Sequence, residues 1–442
     1  MNTLLKETRA TSALAAPIIV GQLSQMVMGV TDALMVGRLG TVPLAASAFT
    51  GGVFVFFFVT GCGLLAPVGI LVAREHGRKD EAAAAEWLRG SNGVALAVSL
   101  LFAGAMAGLL PWLDRMGQPP EVVAEAGPYY ALMAASIVPG LLFQVFRQFG
   151  EAMGRPRLPM AVMLGGVLLN VFLNWILIYG NLGAPRLGLA GAGWATLASR
   201  LVSLVAVAVA LGNSRGLRAA WPSRLTGWPA AGRLREFLAI GIPSAAMLVF
   251  ETGAFAATAF FMGWFGATAL AAHQIALTCV SFSYMVPLGV SMAAGLRVSR
   301  GLAAEGRRAT RAIGLGAVAL SASWTLLTIP LFALGGGRLA RFFSDDPAVI
   351  ALAATLFVIA SLFQVFDAAQ VTAGGALRGL PDVRVPTLAV LTVYWVVAIP
   401  AGLALAFGAG MGPAGLWTAL ALALCLAAIF LTHRFGRLTR GD

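Results

Sequence analysis

Residues 412–433 read GPAGLWTALALALCLAAIFLTH and contain no Asp, Glu, Lys or Arg. A helix rises about 1.5 Å per residue, so this segment is long enough to cross the roughly 30 Å hydrocarbon core of a bilayer. No apolar segment has the period-2 alternation that is typical of a membrane β-barrel. The sequence therefore predicts an all-α integral membrane protein with twelve transmembrane helices. The other eleven apolar segments are 12–36, 43–73, 87–110, 125–150, 158–180, 189–212, 237–262, 268–298, 310–334, 347–377 and 386–408.

The composition also indicates a membrane protein. Of the 442 residues, 59% are hydrophobic and 11% are charged, whereas about a quarter of a soluble globular chain is charged. The net charge is +12, but the basic residues lie mostly between apolar segments and form no continuous face that would bind nucleic acid. The lipid bilayer is the expected partner, and nucleic acid is not. Cys62, Cys279 and Cys425 each lie in an apolar segment and provide neither a disulfide framework nor a metal-binding spacing.

Lys and Arg are distributed unequally between the two sides of the predicted membrane. The N-terminus and every second loop carry 23 of them, among which we count Arg378, and the intervening loops carry 5. The positive-inside rule places the more basic side in the cytoplasm. It predicts a multi-pass protein of the cell inner membrane with both termini cytoplasmic. The longest basic loop, 213–236, is predicted to be a cytoplasmic linker between an N-terminal six-helix lobe, 1–212, and a C-terminal six-helix lobe, 237–442.

The two halves of the chain repeat each other. The motif FQVF occurs at 143–146 and again at 363–366. Six helices per half is an even number, so both halves enter the membrane from the same side and form two pseudo-symmetric bundles around an axis along the membrane normal. A substrate site near the midplane is then expected, which is the architecture of a transporter. Further matched pairs, in the same order in both halves, are Pro17 with Pro243, Gly37 with Gly263, Gly63 with Gly289, Gly69 with Gly295, and Ala192, Gly193 and Thr196 with Ala414, Gly415 and Thr418.

Ionisable side chains within the apolar segments are the first candidates for function. A charge at the centre of a membrane helix costs about 2.5–3.5 kcal/mol on insertion scales. Arg147 and Glu151 are spaced i,i+4 and are expected to be a structural pair on one helix. The sequence assigns no role to Arg200. Asp32, Glu251 and Asp367 have no basic residue one helical turn away, so we expect them to couple transport to a cation.

The internal repeat pairs each of these three acids with a different residue type. Asp367 matches Arg147, Glu251 matches Gln25 and Asp32 matches Thr258, so the acids are additions to the scaffold and not requirements of it. A carboxylate that burial makes costly can exchange a proton for Na⁺ or for a cationic ligand. We predict Glu251 and Asp367 as the Na⁺ candidates, with Asp32 contributing to coupling. The polar-pocket and substrate candidates are Gln25, Asn170, Asn174, Thr196, Gln274, Tyr284, Gln364 and Tyr394.

Several of these side chains also have an ordinary structural interpretation. We predict that Asn170, Asn174 and Thr196 complete a polar pocket with Asp32 in the first lobe. Helix–helix hydrogen bonds are an almost equally good interpretation of these three residues. Aromatic residues near Glu251 and Asp367 can hold flat cations by cation–π contact, although most are expected to face lipid or core. They are Phe255, Phe261, Trp264, Tyr284, Phe363, Phe366, Tyr394 and Trp395. No Walker A loop, nucleophile elbow or HExxH motif occurs, so we expect neither an enzyme nor a cofactor.

Four segments have a familiar pattern: PIIVGQLSQMVMGVTDALMVGRLG at 17–40, GLAGAGWAT at 188–196, ATALAAHQIAL at 267–277 and FQVFDAAQVTAGGALRG at 363–379. With these segments the chain resembles the multidrug and toxic compound extrusion (MATE) transporters over nearly its whole length. This resemblance implies a V-shaped pair of bundles, a monomer, and efflux of small organic cations and hydrophobic drugs in exchange for Na⁺ or H⁺. Glu251 and Asp367 match acidic positions of the NorM-like branch, and Asp32 matches the first-lobe aspartate. A DinF-like branch has a second acid where this chain has Asn174, which favours the NorM-like assignment.

Two alternative functions remain open at this point. A lipid-linked saccharide flippase belongs to the same wider superfamily, but such proteins tend to have more cationic cavities than this mainly acidic set of candidates. An ion channel would pass current without counterflow of a substrate. The dependence of dye efflux on an ion gradient would separate these functions.

Overall fold

The computed structural model describes residues 2–440, with side chains from Lys6 onward. The described chain is helical and contains twelve helical segments long and apolar enough to cross a membrane, which confirms the predicted number. The helices are α1 (Asn2–Gly37), α2 (Thr41–Leu64), α3 (Pro67–Gly77), α4 (Glu81–Leu109), α5 (Pro120–Ala152), α6 (Arg157–Tyr179), α7 (Gly188–Gly212), α8 (Ala231–Gly263), α9 (Ala267–Ala304), α10 (Arg307–Arg341), α11 (Pro347–Gly379), α12 (Arg384–Leu391), α13 (Ile399–Leu403) and α14 (Pro413–Leu438).

The second and the eleventh of the twelve spans each contain more than one α-helix. The second consists of α2 and α3, and Pro67 occupies the first position of α3, where a missing N–H costs no helical hydrogen bond. The eleventh contains α12 and α13, each followed by a π-helical stretch, Thr392–Ala398 and Ala404–Gly408. Short π-helical stretches within helices occur frequently at functional sites. Tyr394, a predicted pocket residue, lies in the first of them.

The chain forms two compact units. One is made of Val20–Gly241, and the other of the chain up to Ile19 together with the chain from Ile242 onward. The compact units differ from the lobes predicted at 1–212 and 237–442 in two ways. The chain up to Ile19 groups with the C-terminal half, and the basic loop and the start of α8 group with Val20–Gly241. In this unit α5 packs against α2, α4 and α7, and in the other α11 packs against α9, α10 and α14. The repeated FQVF motif lies on these two central helices.

The predicted linker 213–236 is partly wrong. Helix α8 begins at Ala231, six residues before the predicted start of its span at 237. Charged residues end an apolar segment in the sequence, but they do not end a helix, and Arg233 here forms an ion pair with Glu86. The preceding loop is fixed in place, because the Asn92 Nδ2 group donates to the Leu225 carbonyl at 2.9 Å.

The tryptophans of this loop have different environments. Trp221 packs inside the unit, with its ring centroid 6.1 Å from that of Phe146. Trp228 is 61% exposed. Backbone contact also fixes the loop, since a Cβ atom at Gly93 would lie 2.2 Å from the Gly227 carbonyl oxygen. Only glycine at position 93 allows this approach.

Candidate functional site

Two carboxylates lie inside the unit that contains the chain from Ile242 onward. Glu251 is on α8 and Asp367 is on α11, and each residue is 8% exposed. Among residues 2–440, neither carboxylate has a hydrogen-bond or ion-pair partner, although the two interact electrostatically. An ionised carboxylate removed from water is costly unless it is paired. This pair is therefore suited to bind a cation or a proton.

Two glutamines flank Asp367 on its own helix, at i−3 and i+3. The Gln364 Oε1 atom accepts hydrogen bonds from the Ser283 and Thr328 hydroxyls, both at 2.8 Å. The Gln370 Oε1 atom accepts one from the Tyr394 hydroxyl at 3.0 Å. In the described chain, the amide nitrogens of both glutamines are buried without a hydrogen-bond partner. The glutamines are thus anchored through their oxygens, and each keeps an unused donor beside the acid.

Arg378 is a site residue that the sequence analysis missed. The sequence counts it among the loop charges, whereas the structure places it in the last turn of α11, which continues to Gly379. Its Nη2 group donates to the Ser291 hydroxyl at 3.3 Å, and that hydroxyl donates to the Val371 carbonyl at 2.6 Å. The guanidinium also interacts electrostatically with Glu251. Arg378 is therefore a half-buried cation in the same unit as the two acids.

A second polar cluster lies in the unit formed by Val20–Gly241. The Asn174 Nδ2 group donates to Asp32 Oδ1 at 2.5 Å and approaches Asn170 Oδ1 at 3.2 Å. Within the described residues, Asn170 Nδ2 and Asn174 Oδ1 are buried without a partner. Thr196 is also buried, on α7, but no side-chain hydrogen bond among the described residues joins it to this cluster. The structure thus brings together three of the four residues predicted for this pocket.

Comparison with known proteins identifies the family. The family model MatE matches residues 17–176 and 243–403, well over half of the chain.

The chain belongs to the MatE family.

It is 34% identical to multidrug resistance protein PmpM of Pseudomonas aeruginosa, over 98% of this chain and 92% of that protein. It is 36% identical to the probable multidrug resistance protein NorM of Bradyrhizobium diazoefficiens, over 99% and 95%. A crystal structure of a MATE protein in complex with MaL6 has the same fold, with a TM-score of 0.89 at 20% identity over 98% and 96% of the two chains.

These matches confirm the predicted resemblance and the predicted all-α membrane fold. MatE proteins are transporters and not enzymes. This confirms the expectation, drawn from the sequence, that the chain is not an enzyme. The positions of the individual site residues rest on the geometry described here.

The remaining predicted residues of this MatE protein occupy varied environments. Tyr284 is half-buried on α9. Gln274 is exposed on α9. The ring of Tyr394 is buried, and its centroid lies 6.3 Å from that of Phe255.

The other predicted aromatic residues differ in exposure. Phe363 is buried and packs against Trp417, and Phe261 is half-buried. Phe366 and Trp395 are exposed at 36% and 40%, and Trp264 is the most exposed of the set at 58%. Phe255 is therefore the member with a direct ring contact to the predicted pocket.

Arg147 and Glu151 form the expected pair within α5 of this MatE protein. The Arg147 Nε and Glu151 Oε1 atoms are 3.8 Å apart, and both side chains are buried. The Arg147 Nη1 group also donates to the Gln22 Oε1 atom at 2.7 Å. These contacts favour the structural interpretation, since both buried charges are compensated.

Arg200, to which the sequence assigned no role, lies on α7. Its Nη1 group donates to the Ser136 hydroxyl at 2.9 Å and to the Ser136 carbonyl at 3.3 Å. The guanidinium carbon lies 4.6 Å from the ring centroid of Phe54 and 5.3 Å from that of Phe58. Gln25, a predicted pocket residue, lines the same cavity as Arg200.

Proposed function

We propose that this MatE protein is a secondary active antiporter that exports small organic cations and hydrophobic drugs in exchange for Na⁺ or H⁺. The observation that carries the proposal is the pair Glu251 and Asp367. Both carboxylates are buried in one unit, interact electrostatically, and have no hydrogen-bond or ion-pair partner among the described residues. The names of the relatives, multidrug resistance proteins PmpM and NorM, support drugs as the exported class.

The chemistry of exchange follows from competition for this pair of acids. A carboxylate that is buried and unpaired gains free energy from any cation that reaches it. A proton neutralises it, Na⁺ binds its oxygens, and a cationic drug forms an ion pair with it. Because the same acids bind either the coupling ion or the drug, binding of one favours release of the other. Exchange of the two across the membrane is antiport.

Orientation and assembly are part of the proposal. The excess of Lys and Arg at the N-terminus and in every second loop favours an inner-membrane protein with both termini cytoplasmic. We propose that it acts as a monomer and needs no cofactor besides the coupling ion. Asp32, held by Asn174 at 2.5 Å, contributes a further acid in the other unit.

Efflux of a fluorescent organic cation from reconstituted vesicles tests the function. We expect Glu251→Gln and Asp367→Asn to lose most ion-driven efflux at normal protein levels, because each removes one exchangeable charge. The control is Glu121→Gln, which removes an exposed acid at the start of α5 and is expected to transport like the wild type. Wild-type efflux by both site variants would show that these acids do not couple transport.

The same vesicles identify the ion and separate the alternatives. Replacing Na⁺ by choline at constant pH abolishes efflux if Na⁺ is the coupling ion and leaves it intact if H⁺ is. An ion channel would conduct without counterflow of the dye. A lipid-linked saccharide flippase would move a labelled lipid but not the dye.

A further inference from the structure

Arg200 has unused hydrogen-bonding capacity. A guanidinium has five N–H donors, and within residues 2–440 only the Nη1 group of Arg200 has hydrogen-bond acceptors, both on Ser136. No carboxylate of the described chain lies within ion-pair distance of it. Asp32 interacts with Arg200 electrostatically, but its Oδ1 atom accepts from Asn174. The Arg200 charge is therefore fixed in position without a direct counterion.

A cavity of about 50 Å³ lies beside this side chain, within the unit Val20–Gly241. This volume is large enough for a few water molecules or for one carboxylate group. Its polar lining includes Gln25 and Gln144, and its apolar lining includes Phe58, Phe143 and Met163. Gln144 is held by donation from its Nε2 group to the Cys62 sulfur at 3.2 Å. A cation, two amides and apolar walls thus surround one space.

We propose that Arg200 and this cavity form an anion subsite, which binds the carboxylate of a substrate that carries both an amine and a carboxylate. The planar guanidinium binds a carboxylate through two parallel N–H···O bonds, which a Lys ammonium cannot reproduce. Phe54 and Phe58 hold the guanidinium on one side, so little ordering is needed on binding.

This inference rests on the proposed export function and narrows its substrate class. A purely cationic drug has no group for Arg200, whereas a zwitterionic drug has one. Arg200 thereby acts as a specificity residue, and the acids of the other unit keep their role in coupling. Loss of Arg200 should change which substrates bind while export of a purely cationic dye continues.

Binding of a matched pair of ligands tests the proposal. One is a fluorescent amine with a free carboxylate, and the other is its methyl ester, which keeps the amine and the ring but lacks the anion. We expect Arg200→Gln to weaken binding of the acid by about tenfold or more, as for loss of a charge-assisted bidentate contact. Binding of the ester should change by less than about twofold. Equal weakening of both ligands, or of neither, would overturn the subsite.

Arg200→Lys keeps the charge and provides a second variant if Arg200→Gln does not fold. It should retain part of the preference for the acid, because the attraction remains while the two-bond geometry is lost. A Lys variant that binds the acid as tightly as the wild type would refute the bidentate contact. Size-exclusion chromatography and thermal unfolding establish that each variant is folded.

Competition in the wild-type protein requires no variant. Acetate should displace the acid but not the ester, whereas chloride at the same concentration should displace the acid less. Equal displacement by both anions would indicate a site for inorganic anions and would overturn the proposal. Export of the ester from vesicles is measured in parallel. If the wild-type protein does not export the ester, the export function itself is refuted. If it does export the ester, the comparison of the two ligands tests the subsite alone.

Discussion

The contact between α9 and α11 at Gly375 should be intolerant of even one added carbon atom. A Cβ at this position would lie 2.3 Å from the Ser291 hydroxyl oxygen and 2.4 Å from the Ser291 carbonyl oxygen. Forcing an extra carbon into such packing costs about 1–3 kcal/mol. The higher helix propensity of Ala offsets about 0.5–1 kcal/mol of that cost. Because backbone cannot move aside easily, we expect Gly375→Ala to lower the free energy of unfolding by about 1–2 kcal/mol.

The neighbouring glycine provides a matched control. A Cβ at Gly374 would meet only the terminal methyl group of Met247, at 3.2 Å, and a methionine side chain adapts readily. Gly374→Ala is the same chemical change in the same helix, but the gain in helix propensity should dominate. We expect this variant to be neutral or more stable by up to about 1 kcal/mol.

The assay is thermal unfolding of the purified protein in detergent, followed by dye efflux. Gly375→Ala should unfold at a lower temperature than the wild type, and Gly374→Ala should not. Efflux should also fall more for Gly375→Ala, because Ser291 positions Arg378 through the hydrogen bond at 3.3 Å. Equal stability of the two variants, or greater stability of Gly375→Ala, would refute the packing argument.

Two further predictions concern buried polar groups. Tyr394→Phe removes the hydroxyl that donates to Gln370 and leaves that amide oxygen unpaired. We expect the free energy of unfolding to fall by about 1–3 kcal/mol, measured by thermal unfolding. Glu151→Gln leaves Arg147 without its buried ion-pair partner and should cost about 3–5 kcal/mol. The double variant Arg147→Gln/Glu151→Gln should recover much of that loss in the same assay. A double variant that is less stable than Glu151→Gln would contradict the pairing.

The number of helices could be predicted from the sequence because a bilayer permits few alternatives. Backbone groups in lipid must be satisfied within the segment, so each long apolar run becomes a helix. The ends could not be predicted equally well. Ala231–Glu236 is helical although it contains three charges, since a helix continues into the aqueous region where charge is not costly. The same effect hid Arg378 near the end of α11.

The chemistry of the site was predictable only one helix at a time. The cost of a buried charge singled out Glu251 and Asp367, and the sequence itself shows Gln364 and Gln370 at i−3 and i+3 from Asp367. Contacts between helices depend on which faces pack together, and one sequence does not reveal this. The hydrogen bonds from Ser283 and Thr328 to Gln364 span 81 and 36 residues of the chain. The position of Arg200 between two aromatic rings is hidden in the same way.

The internal repeat shows how one scaffold carries two different charges. The residue after FQVF is Arg147 on α5 and Asp367 on α11. Arg147 is compensated by Glu151 and Gln22, whereas Asp367 has no hydrogen-bond or ion-pair partner among residues 2–440. The two central helices therefore pack alike, but the charge on α5 is compensated and the charge on α11 is not.

At Arg200 the charge lies in the other unit, and its counterpart in the repeat is uncharged. The offset of 222 residues that relates Ala192 to Ala414 relates Arg200 to Leu422, an apolar residue that is 55% exposed. Glu251 and Asp367 thus lie in one unit and Arg200 lies in the other, and none of the three has an ion pair among the described residues. A protein that only bound cations would gain nothing from keeping Arg200 charged beside a cavity, because burying that charge is costly. Its retention is explained if some substrates carry an anionic group as well, and the comparison of acid with ester measures that property directly.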